Sequence, residues 1–170
     1  HMDKALADYK KDGIEAHGYL CDVTDETAVK AMVADIEKRL GIIDILVNNA
    51  GIIKRTPMLE METADFRQVI DIDLTAAFIV SKAVLPGMLR KGHGKIINVC
   101  SMLSEVGRET VAAYTAAKGG LKMLTKNIAS EFGDRNIPCN GIGPGYIATP
   151  QTAPLRTPGH PFNAFILSKT

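Results

Sequence analysis

Short apolar runs alternate with long amphipathic segments along most of this chain. Two of the runs, Asp44–Asn48 (DILVN) and Lys95–Cys100 (KIINVC), are rich in β-branched residues, and longer segments with helical apolar spacing lie between them. A strand that is apolar throughout is covered on both faces, and strands that alternate with helices are typical of a parallel sheet. The sequence therefore predicts an α/β fold, a doubly wound parallel sheet.

The pattern predicts four strands and three helices. The strands are Ala16–Val23, Asp44–Asn48, Lys95–Cys100 and Ile137–Gly143, and the helices are Thr24–Leu40, Thr63–Leu89 and Val111–Phe132. Residues 3–150 are expected to form one domain. Four prolines follow between Pro150 and Pro161, so residues 151–170 are predicted to form a flexible loop over a substrate site.

Charge and cysteine usage argue against several functional classes. The 170 residues carry 20 basic and 19 acidic side chains, a net charge of +1, with the two signs interspersed. We therefore expect neither a nucleic-acid partner nor a membrane surface. The longest apolar stretches fall short of the roughly 20 residues of a spanning helix. Three distant cysteines, without CxxC or a histidine cluster, predict no disulfide framework, no metal and a cytoplasmic setting.

Tyr114 and Lys118 are the pair that most clearly suggests chemistry. They lie four residues apart on a predicted helix and so share one face, which also carries Ala117, Leu121 and Ile128. A lysine on an apolar face can extend its ammonium to water, or it can act on the phenol beside it. In the second case the cation lowers the tyrosine pKa from about 10, and the phenol can exchange a proton with a substrate hydroxyl.

Polar and small residues also follow two of the predicted strands, at the sheet edge where α/β proteins bind ligands. Ser101 follows Lys95–Cys100, and its hydroxyl can donate to a carbonyl oxygen that gains charge. Asn48-Asn49-Ala50-Gly51 follows Asp44–Asn48 and suits either a sharp turn or a close approach of the backbone to a nucleotide.

Taken together, these motifs resemble the short-chain dehydrogenase/reductase family. The resemblance rests on Asn48-Asn49-Ala50-Gly51, the Ser101/Tyr114/Lys118 triplet and Pro144-Gly145 leading to Thr149, and it is co-linear from about residue 3 to about residue 150. It implies a Rossmann-type sheet, an enzyme that uses NAD or NADP on a CH–OH group, and a homo-oligomer.

The resemblance also assigns roles to individual residues. Tyr114 would be the acid/base, Ser101 would orient the substrate, and Lys118 would lower the tyrosine pKa and bind the nicotinamide ribose. The remaining residues expected to bind the cofactor are Asp22 at the adenine, Asn48 and Gly51 at the adenosine side, and Pro144, Gly145, Ile147 and Thr149 at the nicotinamide end.

Asp73 departs from the family pattern, which usually has Asn at this place to hold a water that connects the lysine to solvent. The helical stripe places Asp73 on an apolar face, where a carboxylate must be paired or hydrogen-bonded. Two interpretations stay open: Asp73 keeps the relay role, or it forms a structural ion pair.

The family's first βαβ unit, with its glycine-rich pyrophosphate turn, and its last strand have no counterpart in this sequence. We therefore expect a truncated fragment with only strands three to six of the strand order 3-2-1-4-5-6-7. The third strand would lack both neighbours, and the fourth would be an open edge. Such a chain should bind cofactor weakly and show little activity, which a calorimetric titration with micromolar NAD(H) affinity would disprove.

Several stretches, such as GIIKRTPMLEM from Gly51 and CSMLSEVGRET from Cys100, resemble the gluconate 5-dehydrogenases within the family. The implied substrate is a sugar acid or polyol, oxidised reversibly from D-gluconate to 5-keto-D-gluconate. Arginine suits a carboxylate, so Arg108 and Arg55 are candidates for substrate binding or are ordinary loop cations. Met102 and Ser104 could also contact substrate.

Two alternatives remain open. A 3-oxoacyl-type or other carbonyl reductase would share the same triplet. A non-catalytic Rossmann-like interaction module would tolerate the missing glycine-rich turn.

Overall fold

A computed structural model of the chain describes residues 2–159 and 161–168. The α-helices are α1 (Met2–Lys11), α2 (Glu26–Leu40), α3 (Thr63–Ile70), α4 (Ala76–Lys91), α5 (Ala112–Phe132) and α6 (Pro161–Leu167). The strands are β1 (Ile45–Asn48), β2 (Lys95–Val99) and β3 (Cys139–Ile142). Shorter helical turns are a π-helical segment (Asp71–Thr75) and 3₁₀ turns at Met102–Ser104, Gly133–Arg135 and Pro150–Arg156.

The three strands form one parallel sheet in the order β1-β2-β3. Ile45 of β1 lies opposite Lys95, and Ile96 of β2 lies opposite Cys139. The predicted α/β class and parallel sheet are confirmed, with strands one to three residues shorter than expected. The parallel register brings the carboxyl ends of all three strands to one edge.

The main hydrophobic core joins helices from several parts of the chain to the sheet. Val33 of α2, Met88 of α4, Ile96 of β2 and Ile128 of α5 are members of the same buried cluster. Asp25 caps α2 by accepting hydrogen bonds from the backbone of Thr27 and Ala28, so the helix begins at Glu26 rather than at the predicted Thr24.

Ala16–Val23 is not a strand, so that prediction is wrong. The segment pairs with no other strand among the described residues, and Leu20 is 97% exposed. An apolar, alternating sequence forms a strand only where a neighbour can accept its backbone hydrogen bonds. β1 is an edge strand, as expected, with Ile45 and Val47 half exposed.

The predicted helix Thr63–Leu89 extends to Lys91 and contains the π-helical segment Asp71–Thr75. Gly92, in a left-handed conformation (φ +79°), ends it. At 29 residues with a mean hydropathy of 1.6 in its most apolar stretch, this helix is long and apolar enough to cross a membrane, contrary to the sequence-based expectation. However, 56% of that stretch is buried inside the fold, as in the core helix of a globular domain.

The segment after Thr149 is more regular than the predicted loop. Its described residues form the 3₁₀ turn Pro150–Arg156 and the helix α6. Helix α1 was also not predicted, although Asp3 in its first turn and Lys10 and Lys11 in its last are ordinary helix signals.

Candidate active site

A cavity of about 510 Å³ lies at the carboxyl-terminal edge of the sheet, where the fold predicts a ligand site. β1 ends at Asn48 and β2 at Val99, so the residues that follow them reach this edge together. The cavity is lined by Asn49, Ala50, Gly51, Asp73, Val99, Cys100, Tyr114, Lys118, Thr149 and Pro150. Asn49 and Ala50 were not expected from the sequence as separate contacts.

Lys118 and Asp73 form a buried pair at the base of this cavity. The side chain of Lys118 is 5% exposed and that of Asp73 is fully buried, which rules out an ammonium extended into solvent. Nζ donates a hydrogen bond to the Val99 carbonyl oxygen (2.9 Å) and lies 3.4 Å from Asp73 Oδ2. Asp73 Oδ1 accepts a hydrogen bond from the Ile52 backbone N–H (2.7 Å).

Asp73 Oδ2 has no hydrogen-bond partner among the described residues, since its contact with Lys118 is close enough for an ion pair but lacks hydrogen-bond geometry. Burial raises the pKa of Asp73, while the Ile52 N–H and the Lys118 ammonium oppose that rise. A buried carboxylate oxygen that has an ion-pair partner but accepts no hydrogen bond is incompletely satisfied, so its retention at the cavity calls for a functional explanation.

Gly51 gives this pair its space. A Cβ at position 51 would lie 2.9 Å from Asp73 Oδ2 and 3.5 Å from Lys118 Nζ. The first distance is shorter than a carbon–oxygen contact permits, so a larger residue would displace the carboxylate. The glycine at position 51 is therefore needed because the Asp73 side chain leaves no room for a Cβ.

Tyr114 stands over Lys118, with the ammonium 5.6 Å from the centre of the phenol ring. The sequence predicts a lowered pKa, but burial raises the pKa of Tyr114. The Asp73 carboxylate adds to the rise, whereas the Ser101 hydroxyl, Arg55 and Arg108 lower it. The predicted direction is therefore wrong for this structure, because removal of the phenol from water outweighs the neighbouring positive charges.

Ser101 begins the 3₁₀ turn after β2 and sits beside the Tyr114 phenol. Its hydroxyl lowers the pKa of that phenol through a side-chain hydrogen bond. The same hydroxyl oxygen accepts a hydrogen bond from the Leu103 backbone N–H (3.1 Å). Ser104 Oγ in turn accepts from the Ser101 N–H (3.2 Å). The structure thus brings the serine, tyrosine and lysine of the predicted triplet together, and it uses Ser104 to fix the turn that carries Ser101.

Asn48 points below the cavity rather than into it. Its Nδ2 donates to Ser81 Oγ (3.0 Å) and to Asn98 Oδ1 (2.8 Å), and Asn98 Nδ2 donates to Thr125 Oγ1 (2.8 Å). This buried chain of hydrogen bonds links β1, β2, α4 and α5. Asn98 was not predicted, although a polar residue inside the apolar run KIINVC was the available signal for it.

The residues expected to bind a cofactor are distributed unevenly around the cavity. Gly51, Lys118 and Thr149 line it, whereas Ile147 lines a second cavity of about 220 Å³ beside α6. Asp22 lies in the turn before α2 and accepts hydrogen bonds from the Thr24 backbone N–H (2.9 Å) and hydroxyl (2.7 Å).

Pro144 and Gly145 lie in the segment that follows β3. The Pro144 carbonyl oxygen accepts a hydrogen bond from the Met102 N–H (3.4 Å), which joins this segment to the turn after Ser101. A Cβ added at Gly145 would meet no other described atom within 4 Å, so the backbone is open there.

Two arginines approach the same phenol from separate loops. The pKa of Arg55 is lowered by burial and by the nearby Arg108, while Tyr114 and Tyr146 oppose that change. Arg108 Nη1 donates a hydrogen bond to Tyr146 Oη (3.1 Å).

Met102, another residue predicted to contact substrate, is half exposed. The described residues contain no cluster of potential metal ligands.

Comparisons with known proteins identify the family. A family model described as short chain dehydrogenase matches residues 1–159. A 2-dehydro-3-deoxy-D-gluconate 5-dehydrogenase of Formosa agariphila is 60% identical over 169 residues, which are 99% of this chain and 64% of that protein.

Similar solved structures include sugar-acid dehydrogenases. A 2-keto-3-deoxy-D-gluconate dehydrogenase from Streptococcus agalactiae is 73% identical, with a TM-score of 0.78 over 99% of this chain and 65% of that one. A gluconate 5-dehydrogenase from Burkholderia cenocepacia, in complex with NADP and tartrate, is 36% identical, with a TM-score of 0.93 over 98% of this chain and 65% of that one.

The chain therefore spans just under two thirds of the length of these relatives. The family match covers nearly all of the sequence, and the fold superposes on those of the solved relatives. The chain belongs to the short-chain dehydrogenase family.

Proposed function

We propose that this chain carries the catalytic site of an NAD(P)-dependent dehydrogenase that acts reversibly on the C5 hydroxyl of a six-carbon sugar acid. The observation that carries the proposal is that Tyr114 and Lys118 line one cavity, while the Ser101 hydroxyl and the charges of Arg55 and Arg108 act on the Tyr114 phenol. Relatives named for gluconate and for 2-keto-3-deoxy-D-gluconate support the substrate class.

The residues divide the work of a carbinol oxidation. Tyr114 removes the hydroxyl proton in oxidation and returns it in reduction. Ser101 donates a hydrogen bond to the oxygen whose charge changes. Because burial raises the pKa of Tyr114, the phenol is protonated at neutral pH and is ready to act as the acid in the reducing direction.

The residues of the cavity fit a nicotinamide cofactor. Lys118 and Thr149 line it, and Asn49, Ala50 and Gly51 leave backbone open beside them. An ammonium has three N–H donors, so Lys118 can bind a ribose hydroxyl while it keeps its bond to Val99. The cofactor, when bound, supplies or accepts the hydride. Asp22, Asn48, Pro144, Gly145 and Ile147 remain proposed contacts or supports for it.

We propose the relay role for Asp73. Its Oδ2 lies beside Lys118 but accepts no hydrogen bond from the described residues, so it can accept a proton or a hydrogen bond from a water. A purely structural ion pair would have hydrogen bonds to both carboxylate oxygens and could do neither. Asp73→Ala, which can hold neither a proton nor a water, should then alter the pH profile of kcat while the KM for substrate changes little. Asp73→Asn restores the residue that the family usually has and is the matched control. An unchanged profile in Asp73→Ala would leave only the structural ion pair.

The favoured substrate is 2-keto-3-deoxy-D-gluconate rather than the D-gluconate expected from the sequence. Identities of 60% and 73% to relatives named for the deoxy acid, against 36% to one named for gluconate, support this order. The test compares kcat/KM for both acids and for an acetoacetyl thioester in the intact enzyme. Preference for the thioester would replace this proposal with the 3-oxoacyl reductase, and no turnover of any of them would favour the non-catalytic module.

Arg108 and Arg55 are the proposed carboxylate-binding residues, with Met102 and Ser104 as neighbouring contacts. In the intact enzyme, Arg108→Ala should raise the KM for the acid about tenfold, the value expected for loss of a charge-assisted hydrogen bond. An unchanged KM would remove Arg108 from the substrate site. Arg108→Lys keeps the charge but loses the planar fork, so an intermediate KM is expected.

We also propose that the 170-residue chain by itself binds NAD(H) and NADP(H) weakly, and that the protein is cytoplasmic and assembles as a homo-oligomer. The three free thiols support a reducing compartment. Calorimetry on the chain itself tests the weak cofactor binding, and a micromolar dissociation constant would refute it.

A further inference from the structure

We propose that Tyr146 and Phe162 are specificity-determining residues that position Arg108 to receive the substrate carboxylate, so that the enzyme prefers acids over neutral analogues. This inference rests on the proposed function and adds two residues that neither the motifs nor the predicted site contain. Both lie in the part of the chain after β3, one on each side of the 3₁₀ turn Pro150–Arg156.

Arg108 is held from two directions. Its Nη1 donates a hydrogen bond to Tyr146 Oη at 3.1 Å, and its guanidinium carbon lies 5.0 Å from the centre of the Phe162 ring. A cation over an aromatic face and a hydrogen bond to a neutral phenol fix the plane of the guanidinium without neutralising its charge. Phe162 is itself supported by an edge-on contact with Phe165, with ring centres 5.1 Å apart.

The loops that carry the two arginines are joined at their backbones. The Thr56 N–H, next to Arg55, donates a hydrogen bond to the Thr110 carbonyl oxygen at 2.8 Å. Thr110 adopts a left-handed backbone conformation (φ +65°), which is unfavourable for a β-branched residue. Strained conformations of this kind cluster at ligand sites, where the surrounding structure imposes them.

The charge and the planar geometry of Arg108 suit an anionic ligand. Arg108 lowers the pKa of Arg55, so the two positive charges repel each other at a partly buried site beside Tyr114. A guanidinium has five N–H donors in a fixed fork, so Arg108 can keep its bond to Tyr146 and still bind a carboxylate through two others. A carboxylate bound here would lie near the Tyr114 phenol, on which the charges of both arginines act.

The test uses the intact enzyme and two substrates of the same shape, 2-keto-3-deoxy-D-gluconate, which is the favoured substrate of the proposed function, and its uncharged carboxamide. Tyr146→Phe removes only the hydroxyl that accepts from Arg108. We expect the KM for the acid to rise about fivefold, as for loss of one hydrogen bond to a charged group, with kcat within about twofold and the KM for the amide unchanged. Phe162→Leu should shift the ratio of acid to amide in the same direction.

Tyr9→Phe, which removes a phenol hydroxyl from the exposed face of α1, is the matched control and should leave both KM values unchanged. Equal losses for acid and amide in Tyr146→Phe and Phe162→Leu would show a structural role and overturn the inference, as would no change in either variant. If the wild-type enzyme oxidises neither substrate nor D-gluconate, the proposed function itself fails, which is a different result from an unchanged ratio.

Discussion

The buried pair of Lys118 and Asp73 makes a quantitative prediction for a double-mutant cycle with Lys118→Met and Asp73→Asn. At 3.4 Å and an effective dielectric constant of about 20, two unit charges attract each other by about 5 kcal/mol, from which the cost of removing both from water must be subtracted. Removal of one partner leaves the other charge buried, so each single variant should lose about 3–5 kcal/mol of unfolding free energy.

The double variant should lose much less than the sum of the two single losses, with a coupling energy of about 2 kcal/mol or more. The assay is urea unfolding of the intact enzyme at neutral pH, followed by circular dichroism. Because burial raises the pKa of Asp73, its carboxylate is neutralised at a higher pH than usual, and the coupling should decrease as the pH is lowered towards that pKa.

Lys11 and Asp8 provide the control, because they are also 3.4 Å apart but their side chains are 77% and 54% exposed. Water screens an exposed pair, so Lys11→Met and Asp8→Asn should behave additively. If Lys118 and Asp73 are additive as well, the buried ion pair does not exist in the folded protein and the reasoning about the base of the cavity is refuted.

Three further results are expected. Gly51→Ala should lose about 1–3 kcal/mol of unfolding free energy, because its Cβ would displace Asp73 Oδ2. Gly133→Ala is the control and should change the stability little, because its Cβ would meet no other described atom within 4 Å. Equal Tm values for the two variants would contradict this expectation. Asn98→Ala should lose about 1–3 kcal/mol of unfolding free energy, because it leaves Asn48 and Thr125 with fewer hydrogen-bond partners. Asn127→Ala, at an exposed position of α5, should leave the unfolding free energy unchanged. Chemical denaturation of both variants tests this, and equal losses would contradict it. Because the pKa of Tyr114 is raised, kcat/KM for oxidation should still be rising above about pH 9, while kcat/KM for reduction stays flat. A pH–rate series in which oxidation already reaches a plateau at neutral pH would contradict the raised pKa.

The parallel sheet and the meeting of Ser101, Tyr114 and Lys118 could be predicted because they depend on local patterns. β-branched runs and helical spacing are properties of neighbouring residues, and the carboxyl ends of parallel strands meet at one edge whatever the connecting loops do. The placement of Asp73 on an apolar helix face was equally visible, since a stripe at helical spacing shows which residues turn inward.

Features that depend on distant partners could not be predicted in this way. Ala16–Val23 has a strand-like sequence, but strand formation needs a paired neighbour, which periodicity does not report. The direction of the Tyr114 pKa shift depends on how much water the fold removes from the phenol, and sequence spacing shows only the nearby lysine. The contacts of Arg108 with Tyr146 and Phe162 join residues 38 or more positions apart.

The central claim is that Tyr114, Ser101 and Lys118 serve hydride transfer at C5 of a sugar acid. The most direct measurement uses the C5 ketone that corresponds to 2-keto-3-deoxy-D-gluconate. This ketone is reduced with nicotinamide cofactor that carries deuterium at C4, and the label is located in the product by NMR. The intact enzyme should place one deuterium at C5, and Tyr114→Phe should reduce the rate of labelling by at least about a hundredfold, the contribution of a positioned acid. Labelling that persists at the wild-type rate in Tyr114→Phe, or a product without deuterium at C5, would contradict the account.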